Sequence, residues 1–209
     1  MKMLKDVKDC FASAEKDEKK GKKHKGLFVI KPDNKIAEGY IKKAKLNLEL
    51  CDFYKQKGFD YKIPEEWFYT LYYCALAILS KFGIESRSQK CTAYFLRYAK
   101  DNNLIEYDDE FIDRIMVYKD KEEKSDVDER EKARYGSLIT SKEVEVKYEN
   151  MNNVCKKAIF QTEEIVFSNK EFKVPKELSS QFKNIYSHFR FINISLNEYI
   201  INAFLFSIP

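Results

Sequence analysis

Few side chains in this sequence can move a proton near neutral pH. Its 209 residues include two histidines, His24 and His188, far apart in the chain. That excludes a zinc site built from several imidazoles and leaves two candidates for single-histidine acid–base chemistry. Five cysteines, Cys10, Cys51, Cys74, Cys91 and Cys155, contain no C-x-x-C pair. An odd, scattered set behind an N-terminus without a secretory h-region reads as buried thiols in a reducing compartment, so a cytoplasmic protein with no metal and no cofactor is expected. No dinucleotide or P-loop glycine pattern occurs.

For an anionic ligand, Arg87, Gln89, Lys90 and Arg97 gather at and beyond the start of an expected helix. Backbone amides and the helix dipole favour a phosphate at such a place; the alternative is a solvated helix face. Tyr69, Tyr72 and Tyr73 carry rings that stack on bases, although so apolar a helix more often buries them. The run EKDEKKGKKHKG (15–26) is either a polyanion-attracting arm or a solvated helix end and loop, the second being the better reading, with His24 a solvated bystander.

The elements that must position these groups are helices. Six Gly and four Pro in 209 residues are few turn-formers, and 44% hydrophobic residues with 31 aromatics exclude a disordered chain. The net charge of +4 is an N-terminal property: residues 1–35 hold eleven Lys against six acids, while the remainder balances 27 basic against 28 acidic groups. No stretch is apolar enough to span a membrane.

Hydrophobic spacing predicts a short helix at about 4–19 with Leu4, Val7, Phe11 and Ala14 on one face. The apolar run 27–30 has strand character but stands isolated, and reads as a connector. Asp33 is a good N-cap for a helix at 33–57, with Ala37, Ile41, Ala44, Leu48 and Cys51 as its stripe and Gly58 as its stop. Pro64 suits the first turn of a third helix, apolar nearly all round and ended by Gly83. A fourth follows at about 87–103, with Cys91, Phe95 and Tyr98 inward. A fifth segment, 108–135, begins with Phe111, Ile115 and Tyr118 on one face and becomes almost purely charged. Thr140 and Glu143 form a capping-box pair before the clearest helix, with Val144, Tyr148, Met151, Cys155, Ala158 and Ile165 inward. After a boundary at 168–175, residues 176–206 show a further helical pattern ending in YIINAFLFSIP.

Four stretches in order, PDNKIAEGYIKKA (32–44), EEWFYTLYYCALAILSKFG (65–83), Arg87-Ser88-Gln89 and EREKARYG (129–136), resemble the archaeal branch of the HEPN family. That family opens its first bundle helix with Pro-Asp. It centres the second on Ala-Tyr-Tyr-Ala, here Trp67-Phe68-Tyr69-Thr70. It opens the third with Lys-Ser-His, and precedes the last with Arg-Glu-x-Ala-Asp-Tyr-Gly, matched by Arg130, Ala133, Tyr135 and Gly136. The resemblance, from about 32 to 167, implies an all-α, antiparallel four- to five-helix bundle. With the patterns on either side, the chain reads as a basic N-terminal helix and connector (1–31), the bundle (32–170) and a C-terminal helical extension (171–209) packed on the bundle or a second subunit.

The resemblance also implies nucleotide or RNA binding, a homodimer, and membership of toxin–antitoxin or defence systems with a nucleotidyltransferase partner. Many members are metal-independent ribonucleases that use an Arg shortly before a His. Gln89 stands where this branch has His, and an amide cannot move a proton near neutral pH. Arg134 replaces the family's Asp. The nearest match to the nuclease pattern is Lys183-Asn184-x-x-x-His188, with Lys for Arg; Asn184 and His188 share a helix face, Lys183 and His188 do not. The expectation is therefore a protein that lacks an intact nuclease site and binds either a partner protein or a nucleotide or RNA, the latter through Arg87, Gln89, Lys90, Arg97, Arg130 and Arg134. The alternatives are a divergent ribonuclease using His188, and a structural interaction module.

Overall fold

A computed structural model describes residues 2–116 and 141–179. Those residues are overwhelmingly helical, and the fold is an all-α bundle. Helix α1 spans Lys2–Glu18, α2 Asn34–Lys57, α3 Ile63–Phe82, α4 Gln89–Asp101, α5 Asp109–Ile115 and α6 Ser141–Phe167. A 3-10 turn, Asp60–Lys62, links α2 to α3. The chain divides into two compact units, 1–173 and 174–209. In the second, a single helical turn, α7 (Lys176–Ser179), is closed by the Leu178 amide donating to the Pro175 carbonyl.

Local signals start and stop these helices where the sequence places them. The Asp33 carboxylate accepts from the Lys35 and Ile36 amides, which have no partner inside the helix. Gly58 at φ 72° and Gly83 at φ 75° close α2 and α3 in the left-handed conformation. Ser88 caps α4 by accepting from the Cys91 amide. Ala37, Ile41, Ala44 and Cys51 of α2 are buried, and Leu48 partly so. On α6, Val144, Tyr148, Met151, Cys155, Ala158 and Ile165 all face inward.

Helix α3 lies at the centre, packed on α2, α4, α5 and α6. Trp67 and Phe68 are fully buried, and the Trp67 indole N–H donates to Asn152 Oδ1 at 2.8 Å, tying α3 to α6. One stripe of α3 is not core, against its apolar composition: Glu65, Glu66, Tyr69, Tyr72 and Tyr73 remain half-exposed. The neighbouring helices cover the opposite side fully and this stripe only in part.

The run at 27–30 is not isolated. Strand β1 (Leu27–Val29) pairs antiparallel with β2 (Ile84–Ser86), Leu27 opposite Ser86 and Val29 opposite Ile84. The partner strand takes three of the four residues between the α3 stop, Gly83, and the α4 cap, Ser88, too short to show alternation. Gly83 makes the junction possible, since its carbonyl accepts from Ile30 N–H at 2.8 Å while its backbone turns back on β1.

The cysteines also differ from expectation. Cys51, Cys74 and Cys155 are buried free thiols, but Cys10 and Cys91 form a disulfide, with Cα atoms 5.8 Å apart across a separation of 81 residues. The packing of α1 on α4 brings them together, which no local spacing reveals. Among the described residues no helix is long and apolar enough to cross a membrane.

Candidate functional site

The corner formed by β1, β2 and the start of α4 collects the chemistry-bearing residues. β2 places Glu85 next to the connector before β1, and Glu85 Oε1 accepts from Arg87 Nε at 2.6 Å. The same oxygen lies 3.6 Å from His24 Nε2. His24 is not solvated: it is 3% exposed and its ring stacks on Phe28, centroids 5.5 Å apart. Among the described residues neither of its ring nitrogens has a hydrogen-bond partner. The lysines around it in sequence turn outward, while the connector is pinned to α1 by the Lys25 amide donating to Asp17 Oδ2 at 3.1 Å.

A half-exposed ladder of tyrosines leads from this corner along the α2–α3 surface. Tyr40 of α2 stacks on Tyr73 of α3, centroids 6.0 Å apart and planes 20° apart, and Tyr73 stacks on Tyr69 at 6.0 Å and 29°. Lys43 places its ammonium over both Tyr40 and Tyr73, 5.7 and 5.5 Å from their centroids. Burial raises the Tyr40 hydroxyl above its ordinary pKa, and the Glu85 carboxylate adds to the effect. Burial likewise raises Tyr73, helped by Tyr69, Tyr40 and Glu66. These phenols therefore stay neutral, the form that offers both a ring face and an O–H donor.

The residues expected to hold phosphate diverge. Arg87 is exposed and engaged with Glu85. Gln89 Nε2 donates to the Ile115 carbonyl at 3.3 Å, joining α4 to the end of α5. Lys90 lies 5.4 Å over the Tyr94 ring. Arg97 binds Asp109 and Asp113, and Lys100 binds Asp109, a network that fastens α4 to α5. Burial works against the Arg97 charge, but the hydrogen bond to Asp109 and the field of Asp113 outweigh it and raise its pKa. Arg130, Arg134, Lys183, Asn184 and His188 lie outside the described residues, as does Thr140 of the capping box.

A second polar locus is a cavity of about 180 Å³ lined by Lys55, Asp60, Ile63, Val144, Glu145 and Tyr148. Tyr148 donates to Asp52 Oδ1 at 2.5 Å, and the Lys55 ammonium sits 3.7 Å from the Tyr148 ring centroid. With Asp60 and Glu145 on its walls and its lysine held by an aromatic face, this cavity is a poor phosphate receptor.

Sequence reasoning identified Tyr69 and Tyr73 as rings but assigned them to the core, and it missed Tyr40, Lys43 and Glu85. The available signal was the spacing of Tyr40 and Lys43, three apart and therefore neighbours on α2. Among the described residues no cluster of three or more metal-ligating side chains occurs. No family model matches the chain, and no curated protein matches it.

Proposed function

We propose that this protein is an HEPN-like RNA- or nucleotide-binding protein whose contact surface is the Tyr40–Tyr73–Tyr69 ladder. The observation carrying this reading is the half-exposed stack with one lysine above two of its rings. Single-stranded nucleic acids are held in this manner, by ring faces that stack on bases and cations that track phosphates. The Tyr40 and Tyr73 hydroxyls, raised by burial, add no charge repulsion. Arg87 stands exposed at the near end, where a phosphate competes with Glu85 for its guanidinium. Of the two imidazoles, His24 is enclosed and takes no part in proton transfer at this surface. A toxin–antitoxin setting with a nucleotidyltransferase partner, and a homodimer, belong to the same proposal through the family resemblance.

The test is equilibrium binding of a short single-stranded RNA, followed by fluorescence anisotropy as salt is raised. Affinity falls steeply with salt, and Tyr73→Ala and Lys43→Ala each weaken it, Tyr73→Ala by the ~1–3 kcal/mol that one base–ring stack contributes. Absence of binding at low salt, or binding untouched by both variants, refutes the reading. RNA cleavage in EDTA that His188→Ala abolishes would replace it with the ribonuclease alternative.

A further inference from the structure

The disulfide joins an outlying helix to the corner that encloses His24. Helix α1 packs chiefly on α4 and β1, through Val7, Cys10, Phe11 and Ala14. The connector after α1 returns along it so closely that a Cβ on Gly26 would lie 2.2 Å from the Cys10 carbonyl oxygen and 3.3 Å from the Ala14 Cβ. Two residues before Gly26 stands His24. The covalent bond thus fixes α1, α1 fixes the connector, and the connector holds His24 against the β1–β2 pair.

Three observations distinguish this bond from a permanent staple. Cys51, Cys74 and Cys155 remain free thiols in the same fold, so the chain is not built as a disulfide scaffold. Cys10 and Cys91 each retain 7% exposure, unlike Cys51, Cys74 and Cys155, which are completely enclosed at 0%. Cys91 occupies the first turn of α4, its amide already engaged by the Ser88 cap. A thiolate in the first turn of a helix is stabilised by the helix N-terminus, which makes it the better leaving group in thiol–disulfide exchange.

We propose that Cys10–Cys91 is a redox latch: reduction by a dithiol releases α1 from α4 and uncovers His24, while the bundle of α2, α3 and α6 stays folded. A dithiol attacks Cys10 Sγ as its thiolate, the S–S bond breaks, and Cys91 leaves as thiolate and takes up a proton. The second thiol of the reductant resolves the mixed disulfide, forming the reductant's own disulfide and freeing Cys10 as a thiol. Two electrons pass from the dithiol to the protein, and the sulfur count is conserved. The latch goes beyond RNA binding and is tested without RNA.

The experiment compares the full chain, oxidised and after dithiothreitol, by hydrogen–deuterium exchange and by diethyl pyrocarbonate labelling mapped to His24 by mass spectrometry. Reduction is expected to speed exchange across α1 and labelling of His24 by about tenfold or more, while protection in α3 and α6 is retained. Cys91→Ser reproduces the reduced pattern without dithiothreitol. Unchanged protection of α1 with an unreactive His24 overturns the latch. Loss of protection throughout α3 and α6 also overturns it, because the bond is then a staple for the whole fold.

Discussion

Gly83 and Gly58 offer a matched pair of perturbations with separable costs. Both adopt positive φ, 75° and 72°, at the ends of consecutive helices. A Cβ at Gly58 meets nothing within 4 Å, whereas one at Gly83 would lie 2.7 Å from the Ile30 carbonyl oxygen and 2.9 Å from Pro32 Cδ. Gly58→Ala therefore carries the left-handed penalty alone, about 1–2 kcal/mol. Gly83→Ala carries the same penalty plus a displacement of backbone that itself bonds back to Gly83, an overpacking cost of about 1–3 kcal/mol. The total approaches ~3–4 kcal/mol. Urea titration by far-ultraviolet circular dichroism reads both, and in a domain of this size each kcal/mol lowers Tm by roughly 2–4 °C. Equal losses in the two variants would refute the reasoning, since they would mean that the β1–β2 junction bears no load at Gly83.

Asn152→Ala leaves the buried Trp67 indole N–H without its acceptor and lowers stability by about 1–3 kcal/mol in the same titration; Asn152→Leu combined with Trp67→Phe costs less than the two single losses added. The Asp109 carboxyl is held below the usual range by hydrogen bonds from Lys100 and Arg97. A depressed folded pKa gives stability that is complete above the unfolded value and drains as pH falls through the folded one. Arg97→Ala consequently costs a few tenths to about 1 kcal/mol at neutral pH, the range of a surface pair, and nearly nothing in strong acid, as paired unfolding curves will show. Burial pushes the Cys74 thiol up to about 12. Iodoacetamide near pH 8 should leave Cys51, Cys74 and Cys155 unmodified in the native protein, label those three in denaturant, and label all five cysteines only after reduction.

Signals confined to a few neighbouring residues were legible in the sequence. Asp33, Gly58, Pro64 and Gly83 announce helix ends because a cap is satisfied by amides and carbonyls within four residues of it. The α6 stripe is legible because one helix face repeats over many turns. What escaped the sequence depends on distant partners. β2 has three residues and no alternation of its own, so only β1 reveals it. Cys10 and Cys91 carry no spacing that marks them as a pair. His24 reads as solvated because its neighbours in sequence are lysines, yet its neighbours in space are Phe28 and Glu85. Tyr69 and Tyr73 were visible as rings, but their half-exposure follows from which side of α3 the other helices leave uncovered. Arg97 looked like a phosphate ligand until α5 brought two carboxylates to it.

The bond between Cys10 and Cys91 also has a mechanical meaning. It closes a ring of chain that contains β1, α2, α3 and β2. Force applied through the two ends of the oxidised protein bypasses that ring. The 81 residues of separation then contribute no contour length, which at ~3.5 Å per extended residue is roughly 280 Å of hidden extension. Stretched singly with optical tweezers, an oxidised molecule keeps its central helical hairpin shielded from load, and the same molecule, once reduced, yields it to the pull.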